Sequence, residues 1–236
     1  MPTEKEVYDL HSDRYEQLVF REDYQQNIPK AIAAIRPYHD LDIIELGAGT
    51  GRLTRFLSQS ARSLNTCDLS HHMLLRAAAI LEPRQNRSLS LNVADMRRLP
   101  FPSDCADMAV AGWSFCYLAV WGGQDWQASL QSGLAEALRV LRPGGVVILL
   151  ENYGTGFESP HPPPHLDAYF EYLKTSGFQS SWIRTDYRFE SMAEAQRLSD
   201  FFFGSELAEK VSQNQWQILP EFTGVFWLEK QCNPGL

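Results

Sequence analysis

"DIIELGAGTGRLT", residues 42–54, joins a short apolar run to three glycines at every second position, Gly47, Gly49 and Gly51. A buried strand that leads through a glycine-rich turn into a helix is how α/β proteins present backbone N–H groups to a nucleotide. The dinucleotide fingerprint places its third glycine three residues after its second, and that position is Arg52 here. The stretch therefore predicts an α/β nucleotide site that departs from the dinucleotide pattern.

Short apolar runs alternate with helical patterns on both sides of this stretch, which predicts βαβ units and a parallel sheet. The predicted strands cover residues 41–46, 64–68, 89–95, 105–115 and 146–152, and two further β-rich segments cover 180–189 and 216–230. We therefore expect one α/β domain over residues 1–236. Its fold should be a Rossmann-like, seven-stranded, mostly parallel sheet with helices on both faces and an antiparallel last strand.

Apolar residues at helical spacing predict helices over residues 3–20, 26–36, 51–60, 71–82, 125–142 and 165–177. Ser70 is placed to cap one of them, and Ser191 with Glu194 forms a capping-box pattern for a further helix. Residues 1–36 are expected to form an N-terminal helical lid, and residues 154–165 a proline-rich loop.

The composition is that of an ordinary globular protein with an acidic balance. Apolar residues make up 44% of the 236 residues, charged residues 21%, and the formal net charge is -8. Binding of phosphates needs clustered lysine and arginine, so nucleic acid is not expected as a partner. No signal-peptide pattern or run of ~18 apolar residues occurs, so no membrane partner is expected either. The four cysteines are far apart, which indicates reduced thiols and a cytoplasmic protein.

Acidic residues end the first three predicted strands, where ligands of a parallel sheet bind. Glu45 ends the first strand, and Asp68 ends the second at the place where a carboxylate can accept both hydroxyls of a ribose. Asp95 ends the third strand and can accept a hydrogen bond from an exocyclic amine, while Met96 packs against a purine face. These positions predict a nucleoside-binding edge.

The order of these features resembles the class I S-adenosylmethionine-dependent methyltransferases. "ELGAGTG", an acid closing the second strand, "AD" closing the third and "ALRVLRPGGVVIL" before the fifth follow one another over about residues 40–153. The resemblance implies a seven-stranded fold, S-adenosylmethionine as cofactor, and methyl transfer by in-line displacement to an oxygen, nitrogen or carbon of a small molecule.

The resemblance also implies roles for individual residues. The three glycines would back the methionyl part of the cofactor, with Glu45 near its ammonium group. Asp68 would bind the ribose, and Asp95 with Met96 would contact the adenine. Trp113 and Ser114 would line the transferred methyl. Three more candidates for cofactor contact are Ala48, Leu69 and Tyr15.

A general base would help this reaction but is not required. Alignment can supply ~7–11 kcal/mol, against the ~3–5 kcal/mol of a base. Candidate catalytic residues are Tyr153, His161 and His165. We expect no metal, because "HPPPH" lacks a third ligand. Glu151 and Asn152 resemble the metal-binding pair of catechol O-methyltransferases but lack the acid after the fourth strand.

Two other functions remain open from the sequence. An NAD(P)-dependent Rossmann oxidoreductase is disfavoured by Arg52 and by the absence of a Tyr-x-x-x-Lys pair. A non-catalytic S-adenosylmethionine-binding protein would carry the same binding residues. The oligomeric state is expected to be a monomer or a homodimer.

Overall fold

The computed structural model describes residues 12–81 and 88–231, which divide into two compact units. One unit contains the described residues up to Lys30, with Asn152–Pro163 and Trp182–Thr223. The other contains Ala31–Glu151, Pro164–Ser181 and the described residues from Gly224 onward. The single-domain organisation stays a prediction, and the part of the lid prediction that concerns residues 1–11 lies outside the described residues. Within the described ranges, no helix has the length and hydropathy needed to cross a bilayer.

Seven strands form one sheet in the order β3-β2-β1-β4-β5-β9-β6, and β7 pairs with β8 in a separate two-stranded sheet. Parallel pairing joins β1 to β2 and β4, β2 to β3, and β4 to β5. The predicted parallel core of the sheet is thereby confirmed. The strands are β1 (Asp42–Leu46), β2 (Ser63–Asp68), β3 (Ser88–Val93), β4 (Ala106–Gly112), β5 (Leu141–Thr155), β6 (Gln179–Arg184), β7 (Tyr187–Arg188), β8 (Ile218–Leu219) and β9 (Glu221–Glu229).

The last strand, β9, runs antiparallel to β5, as the sequence predicted. Lys230 donates its N–H to the Gly145 carbonyl at 2.7 Å, whereas Gly156, at the other end of β5, donates to the Pro220 carbonyl at 2.8 Å. The β-rich segment predicted over residues 180–189 forms two strands, β6 and β7, which belong to different sheets. Thr185, between them, donates its N–H to the Glu221 carbonyl at 2.9 Å.

Helices connect the strands near their predicted positions. They are α1 (Ser12–Val19), α2 (Asn27–Ile35), α3 (Thr54–Leu57), α4 (His71–Ile80), α5 (Tyr117–Val120), α6 (Trp126–Val140), α7 (Asp167–Thr175), α8 (Met192–Phe203) and α9 (Ser205–Gln213). Ser70 caps α4, because its hydroxyl accepts the Met73 N–H at 3.3 Å. Ser191 likewise accepts the Glu194 N–H at 3.2 Å.

The helix after the glycine turn is much shorter than the predicted span of residues 51–60. Only Thr54–Leu57 is α-helical, and Leu53 at its N-cap offers no side-chain acceptor. The chain that follows, residues 58–60, continues as a turn, and two of its three residues, Ser58 and Ser60, have only modest helix propensity. Apolar spacing alone therefore overestimated this helix.

The central strands form the core of the unit that contains Ala31–Glu151. Ile43, Ile44 and Leu46 of β1 are at most 1% exposed, and Val147–Leu150 of β5 are 0% exposed. Such continuous burial is expected of a parallel sheet covered on both faces.

The other unit has a core of its own. The cluster consists of Leu18, Tyr187, Phe189, Ala195, Leu198, Leu207, Val211 and Leu219. Helix α8 is tied down at its start, because Glu194 accepts hydrogen bonds from Arg21 Nη2 at 2.9 Å and from the Glu190 N–H at 2.7 Å. The Glu194 carboxylate therefore contacts Arg21 and the Glu190 N–H. In the usual capping box it would instead accept the N–H of the N-cap residue, here Ser191.

Asp42 joins the starts of three strands, and we expect Asp42→Asn to destabilise the protein at neutral pH. Its carboxylate accepts hydrogen bonds from Arg62 Nε at 2.9 Å, Ser63 Oγ at 2.7 Å and Arg142 Nη2 at 2.9 Å. These bonds, that of Arg62 foremost, hold the pKa of Asp42 well below its usual range. The expected loss at pH 7 is at most about 1 kcal/mol, since Arg62 is 58% exposed and solvent screens its charge.

The loss of stability in Asp42→Asn should depend on pH, because folding lowers the pKa of Asp42. A carboxylate with a lowered pKa stabilises the folded state above the pKa of the unfolded chain, about 3.9, and loses that contribution as the pH falls through the folded value. Urea unfolding should therefore separate Asp42→Asn from the wild type fully at pH 7, and the difference should be clearly smaller at pH 2, as the Asp42 carboxylate begins to be protonated. Glu171→Gln, at an exposed site, serves as the control and should change neither value. An equal loss at both pH values would contradict the account.

Candidate functional site

The loops after β1 and β4 meet where the strand order of the sheet reverses. Ligands of open parallel sheets bind outside the carboxyl ends of the strands at such a point. We call residues 47–51 the glycine turn and residues 113–116 the β4 loop. Asp68 ends β2, and Asp95 follows β3, at the same edge. The structure therefore brings the glycine turn, the β4 loop, Asp68 and Asp95 to one edge of the sheet.

Backbone hydrogen bonds tie the glycine turn to β2. Gly47 and Ala48 donate their N–H groups to the Cys67 carbonyl at 2.8 and 3.0 Å, and Gly51 donates to the Ala48 carbonyl at 2.9 Å. The three glycines have φ values of 69°, 55° and 87°. This left-handed region is accessible to glycine without steric cost, so the turn needs glycine at each position.

Gly47 is also required by close packing. A Cβ atom at Gly47 would lie 2.4 Å from Ser114 Cβ, whereas a Cβ atom at Gly49 would meet only Met73 Cε at 3.6 Å. Ser114 is buried, and its hydroxyl donates to the Leu46 carbonyl at 2.9 Å. The glycine turn and the β4 loop are therefore in direct contact.

Asp68 holds the turn from the neighbouring strand. One carboxylate oxygen accepts the Gly49 N–H and the other accepts the Ser70 N–H, both at 2.8 Å. Burial raises the pKa of Asp68, and these two bonds oppose that rise. A carboxylate can accept about four hydrogen bonds, so each oxygen keeps capacity for a ribose hydroxyl. The next residue, Leu69, is 64% exposed and available to a ligand.

Glu45 lies behind the turn and is 1% exposed. Its carboxylate accepts the Thr54 hydroxyl hydrogen bond at 2.6 Å, which joins the end of β1 to α3. Burial raises the pKa of Glu45 to about 8. A cation arriving nearby would favour the ionised form. Contact between Glu45 and a cofactor ammonium group stays a prediction.

Asp95 has a partner that sequence reasoning missed. Arg97 donates its backbone N–H to Asp95 at 2.8 Å and its Nη2 at 2.6 Å, and the side-chain bond is the main cause that lowers the pKa of Asp95. The signal in the sequence was an arginine two residues after an acid in a turn. Met96 borders the glycine turn, since its Cε would lie 3.5 Å from a Cβ atom at Gly47.

Trp113 begins the β4 loop in a left-handed conformation, with φ 49°. Its N–H donates to the Leu150 carbonyl at 2.7 Å. The guanidinium carbon of Arg52 lies 3.2 Å from the centre of the Trp113 ring, a cation–π contact. The sequence identified Arg52 only as a departure from the dinucleotide fingerprint, because nothing local pairs it with a distant tryptophan.

Two of the candidate catalytic residues, Tyr153 and His161, belong to the unit that contains Asn152–Pro163. The His161 N–H donates to the Tyr153 carbonyl at 2.8 Å, which closes a turn. The His161 ring stacks on Phe157 with ring centres 4.0 Å apart. Tyr15 belongs to the same unit and packs edge-on against Phe202. Catalytic roles for Tyr153 and His161, and a cofactor contact for Tyr15, stay predictions.

The third candidate, His165, lies exposed in the short 3-10 turn Pro164–Leu166. Among residues 12–81 and 88–231, no three His, Cys, Asp or Glu side chains group as a metal site would require. Asn152 is occupied locally, since it donates to Thr155 Oγ1 at 3.1 Å and accepts the Gly154 N–H at 2.9 Å.

Comparison with known proteins identifies the segment that contains this site. Residues 44–149 match the family described as "Methyltransferase domain". The malonyl-[acyl-carrier protein] O-methyltransferase of Pectobacterium atrosepticum is 33% identical over 126 residues, which are 52% of this chain and 44% of that protein. The demethylmenaquinone methyltransferase of Desulfitobacterium hafniense is 27% identical over 126 residues, 52% of this chain and 46% of that protein. The chain thus matches less than half the length of these relatives.

The fold is also found among solved structures. The crystal structure of an S-adenosylmethionine-dependent methyltransferase from Aquifex aeolicus superposes with a TM-score of 0.53 at 12% identity. The match covers 84% of this chain and 88% of the Aquifex chain. At this identity the likeness concerns the fold alone.

We expect Gly47→Ala to be much more damaging than Gly49→Ala. Both substitutions put a side chain into the left-handed region at a cost of ~1–2 kcal/mol. Only the Gly47 substitution also drives a methyl group into Ser114, which adds ~1–3 kcal/mol. Urea unfolding of the two variants measures the difference, and equal losses of stability would contradict the close contact between the glycine turn and the β4 loop.

Proposed function

We propose that this chain binds S-adenosylmethionine at the carboxyl edge of its sheet and transfers the methyl group to a small molecule. The match of residues 44–149 to the family described as "Methyltransferase domain" supports this proposal. The observation that carries the proposal is the Asp68 carboxylate. It accepts N–H groups from the glycine turn and from Ser70, and it retains acceptor capacity beside that turn.

The residues around Asp68 suit the rest of such a cofactor. The three glycines of the glycine turn have no Cβ atoms, so a ligand can approach their backbone closely. Asp95 and Met96, at the end of the next strand, offer an acceptor and an apolar face for an adenine. The roles proposed for Ala48 and Leu69 rest on their positions in the turn and directly after Asp68.

S-adenosylmethionine supplies an electrophilic methyl group on a sulfonium, which an acceptor lone pair attacks in line. The protein's part is to align the acceptor and to exclude water, and alignment can supply most of the rate. The β4 loop, with Trp113 and Ser114, is proposed to line the methyl. Tyr153, His161 and His165 are proposed as candidates to take a proton from the acceptor.

The acceptor is proposed to be a small molecule carrying a nucleophilic oxygen, nitrogen or carbon. The relatives named above act on malonyl-[acyl-carrier protein] and demethylmenaquinone, as their names state. The net charge of -8 disfavours nucleic acid. Arg52, stacked on Trp113 where a dinucleotide fold has glycine, disfavours NAD(P).

We expect Asp68→Ala to remove the contribution of the ribose hydroxyls to binding. Calorimetry would compare S-adenosylhomocysteine with an analogue whose ribose lacks both hydroxyls. For the wild type, loss of the hydroxyls should weaken binding about tenfold to hundredfold, the scale of hydrogen bonds to a charged group. For Asp68→Ala the two ligands should bind with similar affinity.

This comparison separates ribose binding from the part that Asp68 plays in the glycine turn, because damage to the turn would lower the affinity for both ligands alike. Asp95→Ala is the matched control. It should lower the affinity for both ligands and keep the ratio between the two affinities. If the Asp68 variant still distinguishes the two ligands as the wild type does, Asp68 does not bind the ribose. Binding of NADH in place of S-adenosylhomocysteine would overturn the proposed function itself.

A further inference from the structure

A buried carboxylate in the second half of β5 has no part in the site as described so far. Glu151 is 0% exposed. Its Oε1 atom accepts hydrogen bonds from the Tyr169 hydroxyl at 2.8 Å and from the Cys116 N–H at 3.1 Å. Tyr169 lies on α7 and is itself 1% exposed, so the carboxylate is held from two elements of the same unit.

The second oxygen of Glu151 is different. In the part of the chain that the structure describes, Oε2 is buried and accepts no hydrogen bond, and no lysine or arginine forms an ion pair with the carboxylate. An uncompensated buried charge is costly, and burial raises the pKa of Glu151 to about 7. A nearby cation would stabilise the ionised form of such a carboxylate.

Glu151 is connected to the proposed methyl site through the β4 loop. The Cys116 N–H contacts its carboxylate at one end of the loop, and at the other end the Trp113 N–H bonds to the carbonyl of Leu150, the preceding residue. Ser114, between them, bonds to the Leu46 carbonyl beside the glycine turn. The carboxylate therefore lies directly behind the loop proposed to line the transferred methyl.

We propose that Glu151 supplies the negative charge with which this site prefers the sulfonium of S-adenosylmethionine over the neutral thioether of S-adenosylhomocysteine. The inference rests on the proposed function. The two ligands share the adenosine and the amino acid and differ by one methyl group and one positive charge on sulfur. A charge behind the loop acts through a protein interior that screens poorly, so direct contact is not needed.

The same arrangement makes the preference depend on pH. The titratable groups that contact Glu151 are Tyr169 and Cys116, and hydrogen bonds from both favour its ionised form. Burial raises the pKa of Tyr169 well above its ordinary value, so Tyr169 stays a neutral donor. Glu151 gains its charge as the pH rises through about 7. The preference for the sulfonium should therefore be stronger at pH 8 than at pH 6.

Calorimetry with S-adenosylmethionine and S-adenosylhomocysteine tests this in the wild type and in Glu151→Gln at pH 6 and pH 8. Glutamine keeps an oxygen for Tyr169 and Cys116 but has no charge. At pH 8 the variant should bind S-adenosylmethionine about threefold to tenfold more weakly than the wild type while its affinity for S-adenosylhomocysteine stays the same. At pH 6 the two proteins should show nearly the same ratio of affinities.

Tyr169→Phe gives an independent check, because it removes a hydrogen bond to the ionised carboxylate and keeps the ring. The pKa of Glu151 should rise, and the pH at which the ratio of affinities changes should rise with it. Equal weakening of both ligands in Glu151→Gln would show that Glu151 only supports the loop, and an unchanged ratio would exclude the charge; either result overturns the inference. A wild type that binds neither ligand would instead overturn the proposed function.

Discussion

The site depends on one carboxylate at the end of the second strand. The Asp68 carboxylate accepts one hydrogen bond from the N–H of Gly49 in the glycine turn and one from the N–H of Ser70 at the start of α4. A single side chain therefore holds both the glycine turn and the start of α4 in place. The left-handed glycines make the turn possible, and the contact of Gly47 with Ser114 leaves no room for a side chain there. The second loop is placed by that contact, because Ser114 is anchored to the end of the first strand.

The features that could be predicted from the sequence are those coded over short distances. Apolar runs predicted the parallel sheet. The spacing of Gly47, Gly49 and Gly51 and the acids at strand ends predicted which edge of that sheet brings these residues together. Each of these signals depends on residues only a few positions apart. Helix α3 was overestimated because Leu53, Phe56 and Leu57 have helical spacing, whereas the chain leaves the helix at Ser58 and continues as a turn. The split between β6 and β7 was missed because it depends on which sheet each segment pairs with.

The contacts that sequence reasoning missed are tertiary. Arg52 meets Trp113 only once β1 and β4 lie side by side, and Glu151 meets Tyr169 only after α7 packs behind β5. Both Glu45 and Glu151 are buried acids whose pKa values burial raises, to about 8 and about 7. Folding then retains protons that the unfolded chain releases, so both residues make the protein less stable as the pH rises from about 4.5 toward 8. Burying such acids therefore costs stability, and a cationic ligand bound near them would offset that cost.

The most direct test of this account is a crystal structure of the chain with S-adenosylhomocysteine bound. Both ribose hydroxyls should lie within hydrogen-bond distance of the Asp68 carboxylate. The adenine should lie beside Asp95 and Met96, and the thioether sulfur should face the β4 loop. A ligand bound away from the carboxyl edge of the sheet, or a ribose that makes no hydrogen bond to Asp68, would contradict it.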